Sequence, residues 1–203
     1  MVSPAAGTPR PLLVVVGVVL CAIVGASAGS QTIGVADPGR TESVQEYPRQ
    51  VTRDQVRRAL DPDEPNYADA ARLGPAALSH LEELIAGADV GLASKAVYLA
   101  SLIRDRRSSA VVRKGAMSRR AEVRVAAAAG ARNLPRNDAI DVLTGLLRDG
   151  DAGVREVALK SIRPTIGSQA PPAAVRERLE SLADGDPQPH IRALAREILD
   201  RPR

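Results

Sequence analysis

Between residues 67 and 199 the chain repeats one arrangement of apolar and small positions. Counted from the first apolar residue of each copy, the pattern falls at positions 0, 3, 4, 7 and 8. From Val154 these are Val157, Ala158, Ser161 and Ile162, and from Val123 they are Ala126, Ala127, Gly130 and Ala131. From Leu92 they are Lys95, Ala96, Leu99 and Ala100, and from Ile191 they are Leu194, Ala195, Ile198 and Leu199. That spacing is one face of an α-helix. Three of the four sets are wholly small or apolar, and Lys95 is the clearest departure. The starting residues lie 31, 31 and 37 positions apart, two equal intervals and one extended by six.

A second amphipathic segment precedes each copy. Residues 75–85 place Leu78, Leu81, Leu84 and Ile85 on one face, and residues 138–147 do so with Ile140, Leu143, Leu146 and Leu147. Residues 173–182 offer Val175, Leu179 and Leu182; residues 109–117 offer Val112, Ala116 and Met117 amid several basic side chains. Gly87, Gly150 and Gly185 punctuate the turns, and Asp151 and Asp186 stand where a following helix would be capped. The unit is helix-turn-helix, and a unit of this size cannot bury its apolar faces alone, so each copy must stack on the next.

The Asp-x-x-Val-Arg-x-x-Ala run, here Asp151, Val154, Arg155 and Ala158, resembles the second helix of a HEAT repeat. It is especially similar to the short bacterial HEAT-like repeats related to phycobilisome lyases, and "RLGPAALSHLEELI", residues 72–85, resembles a first helix of such repeats. The resemblance covers residues 67–199 and implies an all-α fold, a right-handed α-α superhelix (HEAT-like solenoid) of about four helix-turn-helix repeats. Two departures stand out. Leu92 is followed by Ala93 where the pattern has Arg, and the proline-rich stretch 164–172 enlarges one connection.

Ahead of the repeats, residues 11–36 carry no charge and residues 12–24 are almost wholly apolar, with Arg10 before them. Ala26 and Ala28 sit two apart, as signal cleavage requires. Residues 1–28 therefore read as a signal peptide or, uncleaved, as an N-terminal membrane anchor. An anchor needs about twenty apolar residues, and residues 11–28 fall slightly short. A lipoprotein site at Cys21 fits less well, because Leu20 precedes it. Residues 29–65 read as a flexible tether with a short helix at 52–60, and residues 66–203 as the repeat domain.

Composition narrows the chemistry. Of 203 residues none is Phe or Trp and three are Tyr (Tyr47, Tyr67, Tyr98), so small side chains must fill close helix contacts. The formal net charge is +4, but the 28 basic residues are almost all Arg and face 24 acids, a mild excess and not a nucleic-acid footprint. With one cysteine and two histidines, neither a thiolate nor a histidine metal site is expected, and no cofactor is implied. Ser79 and His80 are adjacent on a helix, so their side chains diverge. His190 has no nucleophile beside it, and no Gly-rich phosphate loop follows a strand. These absences lead to the expectation that the chain is not an enzyme.

Three sets of residues remain as candidates. Arg124, Arg155 and Arg192 share one repeat position and form either a basic ladder or ties to nearby acids, such as Asp151 for Arg155. Between residues 104 and 124 lie Arg104, Arg106, Arg107, Arg113, Lys114, Arg119, Arg120 and Arg124, opposed only by Asp105 and Glu122. Such a cluster can steer an acidic protein, a polyanion or anionic lipid headgroups, or can simply be a solvated face. The resemblance places second helices on the concave side, where Val97, Tyr98 and Leu159 suggest a shallow apolar groove, with Lys160 beside them and Arg132 and Arg163 as its rim. The alternative is that these side chains pack between repeats. The expected function is an exported, non-enzymatic scaffold or adaptor in the bacterial cell envelope. It would bind a protein partner of unknown identity; nucleic acid is disfavoured, and the membrane would be reached through residues 11–28. Chromophore attachment, which the lyase resemblance implies, is the second expectation.

Overall fold

The computed structural model describes residues 50–200, and among these there are helices and turns but no strand. The N-terminal segment, residues 1–28, and most of the anticipated tether lie outside the described residues. No helix among those described is long and apolar enough to cross a membrane.

Four antiparallel helix pairs follow one another, as the all-α solenoid expectation requires. They are α3 (Leu78–Ala86) with α4 (Val90–Leu102), α5 (Ser108–Ala116) with α6 (Ala121–Ala131), α7 (Arg136–Leu146) with α8 (Ala152–Ile166), and α9 (Ala173–Gly185) with α10 (Pro189–Leu199). Two shorter helices, α1 (Arg53–Leu60) and α2 (Tyr67–Ala70), precede them, and a 3₁₀ segment, Ala71–Ala77, joins α2 to α3. Asp89 and Asp151 cap α4 and α8, their carboxylates accepting from Leu92 N at 2.9 Å and Val154 N at 3.1 Å. Asp186 does not cap α10. It is buried, and its Oδ1 accepts from Gln188 N, two residues on. The turn glycines Gly87, Gly150 and Gly185 need no left-handed backbone; among the described residues only Gly74 (φ 67°) and Gly167 (φ 62°) adopt it. Gly167 ends α8, which runs on through Pro164, so the enlarged connection is residues 167–172.

The second helices sit at the centre of the stack, each touching its own first helix and the second helices of its neighbours. Two-sided packing widens the buried stripe. Positions 0, 4, 5 and 8 are fully buried in the middle repeats: Val123, Ala127, Ala128 and Ala131, then Val154, Ala158, Leu159 and Ile162. Position 3 is only partly covered, as at Ala126, Val157 and Leu194. Position 4 is alanine in every repeat (Ala96, Ala127, Ala158, Ala195) and fully buried each time. A larger residue there would hold the inner helices apart.

Helix α1 belongs to this packed body and not to a tether, correcting the sequence expectation. Thr52 and Gln55 form a capping box. Val56 and Leu60 are fully buried in the core that α1 shares with the first repeat, each burial contributing about 1.5–3 kcal/mol. Lys95 gives its ammonium to the carbonyls of Leu60 at 3.2 Å and Pro62 at 2.7 Å. The polar residue that broke the sequence pattern thus closes the C-terminal end of α1. His80 Nε2 lies 3.0 Å from the Val51 carbonyl, which can only accept, so the ring is the donor and ties α3 to the residue leading into α1.

Candidate functional site

The repeat arginines act first on the backbone. Arg124 Nη1 donates to Ser118 O at 2.9 Å, Arg155 Nη1 to Asp149 O at 2.9 Å and Arg192 Nη1 to Asp186 O at 2.6 Å. Each reaches a carbonyl six residues earlier, in the turn before its own helix. In Arg124 and Arg155 the remaining nitrogens cross to the next repeat. Arg124 holds Asp149 through Nε at 2.6 Å and Nη2 at 2.8 Å, and Arg155 holds Asp186 through Nε at 2.7 Å and Nη2 at 3.0 Å. The acid on Arg155 is therefore Asp186 and not Asp151. These planar two-point pairs are strong charge-assisted bonds.

The first repeat has Ala93 at the arginine position and Ser118 at the corresponding acid position, so donor and acceptor are missing together. The carbonyl that an arginine at 93 would serve, Gly87 O, is instead taken by Arg120 of the second repeat at 2.8 Å, which also binds Ile85 O at 2.7 Å and Ala88 O at 3.2 Å.

Burial works to raise the carboxyls of Asp149 and Asp186. In Asp149 the hydrogen bonds of Arg124 and of Asp151 N–H, with the charges of Arg124 and Arg155, outweigh that effect and hold the group below its usual 3.8. In Asp186 the bonds of Arg155 and Gln188 N–H, with the charges of Arg155 and His190, do the same.

Most of the basic cluster is likewise spent inside the protein. Arg107 binds Asp105 at 2.9 Å and Pro75 O at 3.3 Å. Arg113 binds Asp138 at 2.7 Å and Asp141 at 3.3 Å, and Lys114 pairs with Glu82. Acids far away in sequence neutralise a run that looked unopposed. Among the described residues, Arg104, Arg106 and Arg119 alone of the eight have no hydrogen-bonded partner, and all three are exposed.

The proposed groove does not form. Val97 and Leu159 are fully buried, and Val97 fills the notch left by Gly115 on α5, where an added Cβ would lie 2.5 Å from Val97 Cγ2. Position 5 faces the next repeat, so a large apolar side chain there is inter-repeat packing. In the last repeat the same position is Arg196, exposed, with Nη2 on Ala183 O. The Tyr98 ring meets Tyr67 edge-on at 4.9 Å near α2. Burial, helped by Tyr98, pushes the Tyr67 hydroxyl up to about 12. Of the expected rim, Lys160 pairs with Glu156 at 2.6 Å and Arg163 with Glu197 at 2.9 Å, while Arg132 is exposed at the end of α6. Along the second helices the row at position 3, Ala126, Val157 and Leu194, is only half-buried. The signal for it was the small-to-medium size of these residues at a position that the helical period alone had assigned to the core.

A cleft of about 750 Å³ opens where α4 turns into α5 and α6 turns into α7, with Ile103, Arg104, Arg106, Asn133, Leu134 and Pro135 among its lining. Among the described residues no group of three His, Cys, Asp or Glu side chains is arranged to hold a metal ion.

No family model matches the chain, and no curated protein does. Among solved structures it is similar to the complex of CpcE and CpcF of phycocyanin lyase from Nostoc sp. PCC7120, with a TM-score of 0.57 and 20% identity. The likeness covers 72% of this chain and 96% of the neighbour. It supports the HEAT-like helical repeat at the level of fold. It also corrects the expectation that the chain is not an enzyme, because that helical-repeat neighbour is described as part of a lyase. A missing triad, metal cluster or phosphate loop is therefore no ground for excluding catalysis in this architecture.

Proposed function

We propose that this chain is a helical-repeat subunit of a lyase-type assembly that works together with a second protein. The observation behind this is the overlap with the phycocyanin-lyase neighbour over 96% of that chain, in a complex of two subunits. In this proposal the half-buried row Ala126, Val157 and Leu194 on the second helices meets the partner, since it is an apolar stripe that recurs in three repeats and is left partly open. Polyanion binding along residues 104–124 is disfavoured, because five of its eight cations already hold acids or carbonyls of this chain. Export through residues 1–28 is a separate proposal, tested by fractionating the native host.

The test supplies the full chain with apo-phycocyanin and free bilin, alone and with CpcE or CpcF, and reads chromophore that survives denaturation. The expected result is covalent adduct above the protein-free background when a partner subunit is present. Background adduct in every combination, with no complex on a sizing column, would sink the proposal.

A further inference from the structure

We propose that the cleft between the α4–α5 and α6–α7 turns binds a small amphipathic anion, an apolar body ending in a carboxylate. This inference stands independently of the lyase-type function.

The walls are built and held. Ser108 Oγ donates to Ile103 O at 2.7 Å and fixes the α4–α5 turn, while Asn133 Nδ2 donates to Ser101 Oγ at 3.0 Å and joins the α6–α7 turn to α4. Leu102, Ile103, Leu134 and Pro135 supply an apolar lining. A volume of about 750 Å³ lies within the range of small-molecule sites.

Charge decides the ligand class. The C-terminal ends of α4 and α6 and the N-terminal ends of α5 and α7 all lie at these two turns, and neither N-terminus has a side-chain cap. Each helix end carries about half a charge, so two negative and two positive ends cancel. The side chains then set the sign. Asp105, the one acid in the lining, is consumed by Arg107, which binds it through its backbone N–H at 2.8 Å and its Nε at 2.9 Å. Arg104 and Arg106 line the cleft, exposed and without a partner among the described residues, and exposed Arg132 precedes Asn133. Planar guanidinium groups above an apolar floor suit a carboxylate with an apolar tail. A compact inorganic anion would leave that floor uncovered, and a neutral lipid would leave the arginines unmatched.

Calorimetric titration of the full chain with octanoate, octanamide and acetate tests this. Octanoate binds saturably, and octanamide and acetate bind at least tenfold more weakly. The pair Arg104→Gln and Arg106→Gln weakens octanoate at least tenfold, whereas Arg119→Gln, outside the cleft, leaves it within twofold. All three arginines are exposed and make no internal bond, so the variants keep the wild-type melting curve. Equal binding of octanamide, an equal loss in Arg119→Gln, or no saturable octanoate binding would each overturn the proposal.

Discussion

The first and last joints of the solenoid solve one packing problem with different chemistry. Between the first and second repeats the contact is made by shape. Gly115 leaves room for Val97, Gly130 lets α6 approach Ser101 of α4, and the polar ties are Arg120 on three neutral carbonyls, Arg107 on Pro75 O, Asn133 on Ser101 and the exposed Lys114–Glu82 pair, with no buried ion pair among them. Between the third and fourth repeats the contact is a buried ion pair, with the Arg155 side chain 10% and the Asp186 side chain 2% exposed. A shape-matched joint fails by clash or cavity, whereas an ionic joint fails when one charge is left alone. Removing one partner of a buried pair costs more than the pair contributes over an apolar replacement.

The largest expected effect follows from that asymmetry. Asp186→Asn keeps the shape but strands the Arg155 guanidinium, and urea unfolding should show a loss of about 3–5 kcal/mol. The double change Arg155→Met with Asp186→Leu should recover most of it. A loss below about 1 kcal/mol for Asp186→Asn would mean that water already screens the rung.

Acid should open the two joints that carry an arginine–aspartate rung before the first joint, which has none. Asp149 and Asp186 have folded values below 3.8, so their contribution is complete above the unfolded value and is lost as pH falls through the lowered folded ones. Amide exchange should show protection falling in α9 and α10 before α4, whose joint carries no such rung, as pH drops below about 4. Simultaneous loss along the whole stack would show that the joints do not differ in this respect.

At the first joint the effect is steric and smaller. Gly115→Ala gains up to about 1 kcal/mol of helix propensity but drives a methyl into Val97, an overpacking that costs about 1–3 kcal/mol. Val97→Ala, harmful alone through the cavity it leaves, should be less harmful in the Gly115→Ala background. A double-mutant cycle measures that coupling, and strict additivity would remove Val97 from the Gly115 notch.

The repeat period was legible because position 4 is alanine, and positions 0 and 8 are apolar, in all four repeats. The face was read a step off. A helical period locates a stripe but not its width, and a helix gripped from two sides buries position 5 as well, which is why Val97 and Leu159 looked like surface. Lys95 and Ala93 read as defects because their explanations lie about thirty residues away, in Leu60, Pro62 and Arg120. The same distance hid the acids that neutralise the basic run, Glu82, Asp138, Asp141 and Asp149. The cleft was invisible for a related reason: two turns from different repeats form it, and neither carries a motif.

Ala93 offers the finest test of repeat equivalence. Arg120 is partly solvated and binds only neutral carbonyls, so Arg120→Ala should cost about 1 kcal/mol. In the other repeats the equivalent carbonyl is served from within, by the arginine six residues on. Ala93→Arg should therefore restore part of the loss in the Arg120→Ala background, where Gly87 O is unserved. In the wild type it should only destabilise, because the carbonyl is already taken and no acid stands at Ser118. Opposite signs in the two backgrounds, read by urea unfolding, would establish that Arg120 fills the first rung of the ladder from the neighbouring repeat. Equal destabilisation in both would mean that buried Ala93 is held by packing alone.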